Sequence, residues 1–482
     1  MAYCRPWSRG PLSIQPSRVA IIGGGPGGLL TAYRLQQRCD VPFIATIYEA
    51  SPRLGGKILT SFFASAPVTY EAGAAELYDY SRTGDDPLRQ LIDDLGLPVR
   101  PMAGSAVILD DRVIAGQGDI RDQLGDDAWS ALCRFDAEAK AWMTPRAFYE
   151  ADWTEGVEDP KANESFESLL ARVPNAAARR YLSCLVHSDL ATEPHRTSAS
   201  YGLQNYLMND PDYLQLYTID GGIERLPREL AARLSATIRL NEPVVLVERT
   251  AEGLLRLDSR RNGEIVSDHY DYVVVALPND WLPAIDWRGS LLADAMHEHH
   301  MHYDHPAHYL RISILFREPF WRECVQGSYF MLDAFGGCCL YDESARNADA
   351  SAGVLGWLLA GDAAMAFSNL SDDTLIRVAL DRLPSFLRHG RDLAVEGKVH
   401  RWIGAVNGLP GGVPALDVET RHMPEPAEHR NLFLVGDYLF DSTLNGVLDS
   451  ADYVVEWLAE EMQEARDRTA IHTVSAVATV TS

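Results

Sequence analysis

The turn Gly23-Gly24-Gly25-Pro26-Gly27-Gly28 joins an apolar run, Arg18 to Ile22, to an amphipathic one, LLTAYRLQQR. Glycine does three separate jobs there. Gly23 permits the tight turn, Gly25 lets a pyrophosphate approach the backbone, and Gly28 lets a helix pack on a strand. A second strand, FIATIYEA, ends at Glu49-Ala50. An acid about 20 residues past such a turn can accept hydrogen bonds from a ribose diol. Strand, turn, helix, strand and acid together predict a dinucleotide site. A glycine-rich turn without a ligand would lose backbone entropy for no packing gain. The next loop, ASPRLGGKILTSFF, adds Arg53, Gly55, Gly56 and Lys57. These residues can wrap a pyrophosphate and bring backbone to an isoalloxazine edge. A nicotinamide enzyme has no need of that loop, so the expected cofactor is FAD.

A comparable pattern stands at the far end, LFLVGDYLFDSTLNGVLDSADYVVEWL, residues 432 to 458. An apolar strand stops at Gly436-Asp437, and a polar turn leads into a helix opening on Asn445-Gly446-Val447. Helix N-termini offer free N–H groups and a positive dipole end to electron-rich ligand atoms. Asn445-Gly446 could instead be a hairpin turn, but VLDSADYVVEWLAEEM continues with helical period.

These motifs sit in a chain of 482 residues, 46% hydrophobic and 23% charged, which fits about three domain-sized globular units. Lys and Arg total 43 against 68 for Asp and Glu, a formal charge of −25, so nucleic acid is excluded as an expected partner. An acidic surface can also concentrate cationic substrates, although it usually serves solubility alone. Seven scattered cysteines give no disulfide framework. Cys338-Cys339 is expected to be packing rather than metal ligation, and no metal site is predicted. The N-terminus lacks the apolar stretch of a secretory signal and no run reaches a membrane span, so the expectation is a cytoplasmic protein.

With both glycine motifs in place, the chain resembles the flavin-containing amine oxidase family, which includes monoamine and polyamine oxidases, L-amino-acid oxidases and, more distantly, phytoene-type desaturases. Further stretches are similar in the same order: GGIERLPREL (221–230), IRLNEPVVLVE (238–248), DYVVVALP (271–278), YLRISILFREPFW (309–321) and RHMPEPAEHRNLFLVGD (421–437). The resemblance implies an α/β fold: a discontinuous Rossmann-like, glutathione-reductase-like FAD-binding domain with an α+β substrate-binding domain. The expected division is a flexible N-terminus at 1–15, FAD-binding segments at 16–79, 216–289 and 396–465, substrate-domain segments at 80–215 and 290–395, and a disordered tail at 466–482. The first substrate segment is expected to be mostly helical. The resemblance further implies an adenine contact at Val244, a strand leaving the flavin domain through Ala276 and Pro278, a ribityl contact at Asp437, and backbone N–H groups of Gly446-Val447 at the flavin's N1/C2 edge. No cysteine follows Cys339. Covalent attachment through a cysteine ahead of the last strand is therefore ruled out, and FAD should bind non-covalently.

Four side chains are expected at the reacting end. In L-amino-acid oxidases a Gly-x-x-Arg clamps the substrate carboxylate. Here Gly73-Ala74-Ala75-Glu76 substitutes an acid, which repels a carboxylate and attracts an ammonium. The plainer alternative for Glu76 is a helix cap or a pair with Arg82. Arg311 stands ten residues before Trp321, where many amine oxidases carry a lysine that holds a water near the flavin. A permanently charged guanidinium cannot act as a neutral base. It can hold a water, bind substrate or join a structural ion pair. Trp402 is a candidate cavity wall or a core residue. Tyr438, with Phe440, is a candidate for the family's aromatic pair at the flavin face.

The expected activity is amine oxidation by hydride transfer to flavin N5, giving an imine, with O2 or another acceptor reoxidising the flavin. Alternatives are desaturation of a biosynthetic intermediate, L-amino-acid oxidation and a non-catalytic flavin-binding module. The expected partners are a small-molecule amine and an electron acceptor, and a homodimer is left open as the assembly.

Overall fold

In this computed structural model the described residues are 15–82, 84–104, 106–149, 160–289, 291–346, 351–408, 413, 416–440 and 442–480. Nearly all of the expected flexible N-terminus, residues 1–14, lies outside them.

Five apolar runs form one parallel sheet in the order Thr237–Arg239, Phe43–Tyr48, Ser17–Ile22, Tyr272–Val275, Leu432–Leu434. Its central strands are β-branched and lack the polar alternation of a half-exposed strand. Val273, Val274 and Val275 are all fully buried, as a parallel sheet covered on both faces requires. Helices Pro26–Arg38 and Leu444–Val480 cover one face, sharing a core in which Leu29 and Leu30 meet Val447, Leu448 and Ala451. A four-stranded sheet built around Val244–Arg249 and Leu255–Arg261 covers the other, through Val247 and Leu257 packed with Ala20, Ile22 and Val275. The sheet gathers strands from three distant chain segments, so this domain is discontinuous.

The second body is a seven-stranded sheet in the order Ala394–Asn407, Pro306–Phe316, Gly353–Ala360, Cys338–Asp342, Tyr329–Leu332, Val107–Leu109, Arg112–Ile114. Its neighbours are antiparallel except Tyr329–Leu332 beside Val107–Leu109. Helices Asp126–Trp142, Ala176–Leu190 and Ala199–Leu207 bury their apolar faces together against it. Phe320 and Trp321 pack on its opposite side with Ile312, Ile314 and Trp357.

Several expected boundaries move. The strand Ala394–Asn407 pairs along Pro306–Phe316, so the substrate-side sheet runs past residue 395. The 80–215 segment contributes the strands Val99–Met102, Val107–Leu109 and Arg112–Ile114 as well as helices, and its helix Pro87–Asp94 packs with the core of the parallel sheet through Leu88, Leu91 and Ile92. Residues 238–248 are two strands in different sheets, separated by a turn in which Asn241 adopts φ +55°. The final helix continues to Val480, where an unstructured tail from 466 was expected. Extending a helix already nucleated gains a hydrogen bond for each residue added, and the tail's alanines are strong helix formers.

Candidate active site

The first glycine turn is built as its residue types require. A Cβ on Gly28 would sit 2.0 Å from the Gly23 carbonyl oxygen, so helix and turn meet at a distance only glycine allows. Gly23 has φ +111°. Gly25 is different: a Cβ there would meet nothing nearer than the Gly56 Cα at 3.7 Å. The space beside Gly25, at the N-terminus of Pro26–Arg38, is left open by the protein's own atoms. Glu49 closes one side of this turn, its carboxylate accepting from the Gly24 N–H at 2.8 Å and the Ser51 N–H at 2.8 Å.

The two ends of the chain meet here. Positioned on Gly27, a Cβ would lie 3.2 Å from Val435 and 3.6 Å from both Ala276 and Val447. The final helix begins at Leu444, with Thr443 capping it: its hydroxyl accepts from Gly446 N–H at 3.1 Å and its carbonyl from Val447 N–H at 3.1 Å. Lys57 reaches across to pair with Asp437 and donates to the Ala405 carbonyl at 2.7 Å. The Asn445 amide donates to Asp86 at 3.3 Å.

A cleft of about 200 Å³ runs from these glycine-rich elements into the second body. Pro26, Lys57, Asp437 and Asn445 line it from the glycine-rich elements, and Glu76, Tyr309, Arg311 and Trp402 complete the wall. Trp402 is therefore a wall, held by its indole N–H donating to the Ala72 carbonyl at 2.6 Å. Beneath the floor lies a buried charge network. Arg311, 2% exposed, donates to Glu343 at 2.7 Å and to the Gly73 carbonyl at 3.0 Å, and stacks over Tyr341. Arg346 bridges Glu343 and Glu71, each at 3.3 Å, and donates to the Ala75 carbonyl at 2.6 Å. Burial pushes the Glu71 carboxyl up to about 7 against the pull of Arg346. This network fixes the backbone of 73–75 and so the position of Glu76.

Glu76 has no ion-pair partner among the described residues, and its Oε2 is buried without a hydrogen bond. Burial raises its pKa, opposed by a hydrogen bond from Tyr341 and by the Arg311 and Arg346 charges. Arg82 is not its partner: that side chain turns to Asp212 and the Pro211 carbonyl.

A family model for flavin containing amine oxidoreductases matches residues 26–456. The chain belongs to that family. It is an oxidoreductase, and the family implies a flavin cofactor. Among solved structures the fold is shared with putrescine oxidase bound to putrescine (18% identity, 92% of this chain and 98% of that one, TM-score 0.73). It is shared also with cyclohexylamine oxidase from Brevibacterium oxydans IH-35A (17%, 93% and 100%, TM-score 0.71). A third similar structure is a protein named as a protoporphyrinogen oxidase, from Exiguobacterium sp. 255-15 (18%, 93% and 100%, TM-score 0.66). At these identities the likeness concerns the fold.

Against this flavin-enzyme frame, some expected residues sit elsewhere. Tyr438 does not line the main cleft. Its ring packs edge-on against Tyr303 in the core and its hydroxyl lies 3.3 Å from His299 Nε2, because the turn after Gly436 folds inward. Phe440 stacks on Tyr453 instead of facing the cleft. Arg53 is turned onto its own loop, donating to the Leu54 and Ile58 carbonyls at 3.1 Å and to Gly56. It braces the loop. Ala50 is exposed beside Glu49, while Val244 is buried where its strand begins. The Ala276 N–H donates to the Ile22 carbonyl at 2.8 Å, with Pro278 just beyond. Among the described residues, no group of three or more His, Cys, Asp or Glu could hold a metal, and no helix is long and apolar enough to cross a membrane. Cys338 and Cys339 are buried in a strand. Glu343, Arg346 and Tyr309 were missed by sequence reading, since no local pattern distinguishes them from core residues.

Proposed function

We propose that this protein is an FAD-dependent amine oxidase or dehydrogenase acting on a C–N bond. One observation carries the reading: Glu76 is a carboxylate of the cleft lining with no ion-pair partner among the described residues, whereas the two cations in that lining are committed, Lys57 to Asp437 and Arg311 to Glu343. Such a lining attracts an ammonium and offers no free cation to an amino acid's carboxylate. It also gives an apolar desaturation substrate a buried acid to desolvate. Putrescine oxidase and cyclohexylamine oxidase, which share the fold, support the same substrate class.

The residues present fit FAD. The open space at Gly25 and the N–H groups beginning Pro26–Arg38 suit a pyrophosphate, Glu49 a ribose, and Asp437 with the start of the final helix the flavin half. Bound flavin would supply the hydride acceptor, with O2 or another acceptor taking the electrons on. The chain's own contribution is positioning: Trp402 and Tyr309 confine the amine beside that surface, and Glu76 holds positive charge. The amine gives up a hydride from its α-carbon and a proton from nitrogen, and water hydrolyses the resulting imine.

Anaerobic addition of amines should bleach the flavin absorbance of the purified protein; a panel of amines that leaves the oxidised spectrum intact overturns the reading. Glu76→Gln should weaken apparent amine affinity by about tenfold or more, from a charge-assisted hydrogen bond worth about 1.5–3 kcal/mol. Titration of the flavin spectrum would measure this, and an unmoved affinity would make Glu76 structural. Acid precipitation should release intact FAD to the supernatant. Flavin retained in the pellet would contradict non-covalent binding.

A further inference from the structure

The turn 436–439, which presents Asp437 to the cleft, is held from behind by side chains outside the cleft lining. Helix Val418–His422 is five residues long, and its last two side chains, Arg421 and His422, are both buried. The His422 Nδ1 lies 2.7 Å from the Val418 carbonyl, which can only accept, so that nitrogen carries the ring proton. Burial first, and the Arg421 charge after it, push the imidazole pKa down to about 4, so the ring is neutral at ordinary pH. Nε2 is then a lone-pair acceptor. The Ser450 hydroxyl, fully buried on the final helix, donates to it at 3.0 Å. The same hydroxyl oxygen accepts the Gly436 N–H at 3.2 Å. Arg421 holds the far end of the turn, donating to the Leu439 carbonyl at 2.9 Å. Between these ends, the Asp437 carboxylate accepts from the Tyr438 N–H at 3.0 Å and pairs with Lys57.

Packing alone does not require a histidine at this place. The ring stands among Phe440, Tyr453 and Trp457, with centroids 5.8, 6.0 and 5.9 Å away. An apolar aromatic side chain would fill the same space without desolvating two ring nitrogens. What it would lose is the acceptor that orients the Ser450 hydroxyl. A serine inside a helix otherwise turns its hydroxyl onto the carbonyl four residues back, here Gly446, and away from the Gly436 N–H. That buried donor would then be left without its partner. Resting on the placement of the flavin half beside Asp437 proposed above, we infer that His422 is a positioning residue for flavin binding: acting through Ser450, it fixes Gly436 and so the direction in which Asp437 meets the ligand.

The test follows FAD release on dilution of the holoenzyme, read by the fluorescence of the freed flavin, with far-UV circular dichroism reporting that each variant is folded. Ser450→Ala and His422→Phe should each weaken flavin affinity about tenfold or more. The double variant should lose no more than the weaker-binding single, because both changes break one chain of hydrogen bonds. His422→Gln, which returns an acceptor near the Nε2 position, should regain most of the affinity. A residue needed only to fill the core would give the reverse order, with phenylalanine retaining flavin better than glutamine, and that order overturns the inference. Losses that add in full in the double variant also overturn it. Should His422→Phe fail to fold, Ser450→Ala decides: a folded Ser450→Ala protein with wild-type affinity overturns the role of the chain. A wild-type protein that takes up no FAD overturns instead the flavin placement on which the inference rests.

Discussion

Gly25→Val is expected to yield a folded protein that no longer retains flavin. The N-cap residue has φ −75° and ψ −175°, an extended conformation open to any residue. A Cβ added there meets only ordinary contact, with Gly56 at 3.7 Å. Nothing within the protein resists the substitution. The added methyl groups instead fill the open approach to the first N–H groups of the helix, where a pyrophosphate must sit to use the helix dipole. The contrast with Gly28 sharpens the expectation. A side chain at Gly28 runs into backbone at 2.0 Å, so Gly28→Val should fail to fold at all. The flavin-to-protein absorbance ratio after purification, paired with far-UV circular dichroism, checks both. A Gly25→Val protein that keeps its full complement of flavin would show that the ligand does not approach this turn.

The second large effect concerns the charge network under the cleft. Arg311→Met should destabilise the protein by about 3–5 kcal/mol, the range for removing one partner of a buried ion pair. Glu343 is fully buried and would lose one of its two arginine partners, while the Gly73 carbonyl would lose its guanidinium donor. Arg311→Lys should fall between the two, since an ammonium keeps the charge but cannot span both acceptors with a planar fork. Denaturant unfolding followed by circular dichroism would measure the series. A methionine variant as stable as the wild type would remove Arg311 from the structural network. The Arg311 Nε has no partner among the described residues. Each terminal nitrogen gives one of its two N–H groups to Gly73 or Glu343, so a water-holding role would use Nε or a second N–H of a terminal nitrogen.

Sequence alone was enough to locate the glycine-rich elements of the proposed nucleotide site, because their chemistry is local. A tight turn, a close backbone approach and a helix–strand contact each demand glycine at a particular offset, and the strands of a buried parallel sheet show as unbroken apolar runs. The turn at 23–28, Glu49 and the start of the final helix are therefore legible without coordinates. The pairing of the two distant glycine motifs was legible only through the resemblance. The resemblance also marked Glu76 as an acid where an arginine would clamp a carboxylate, though not whether it had a partner.

Tertiary structure decided what depends on how elements pack. Tyr438 has the right residue type in the right turn, yet the inward fold of that turn places it in the core against Tyr303 and His299. Arg311 was ambiguous because its partner, Glu343, follows a different strand. Strand boundaries near 394–407 were hidden because sheet membership is set by pairing along Pro306–Phe316, not by any feature of the segment itself. His422 gave no signal in sequence. A lone histidine shows no spacing to a partner, and only the packing of its short helix against Tyr453 and Trp457 of the final helix brings its ring to Ser450.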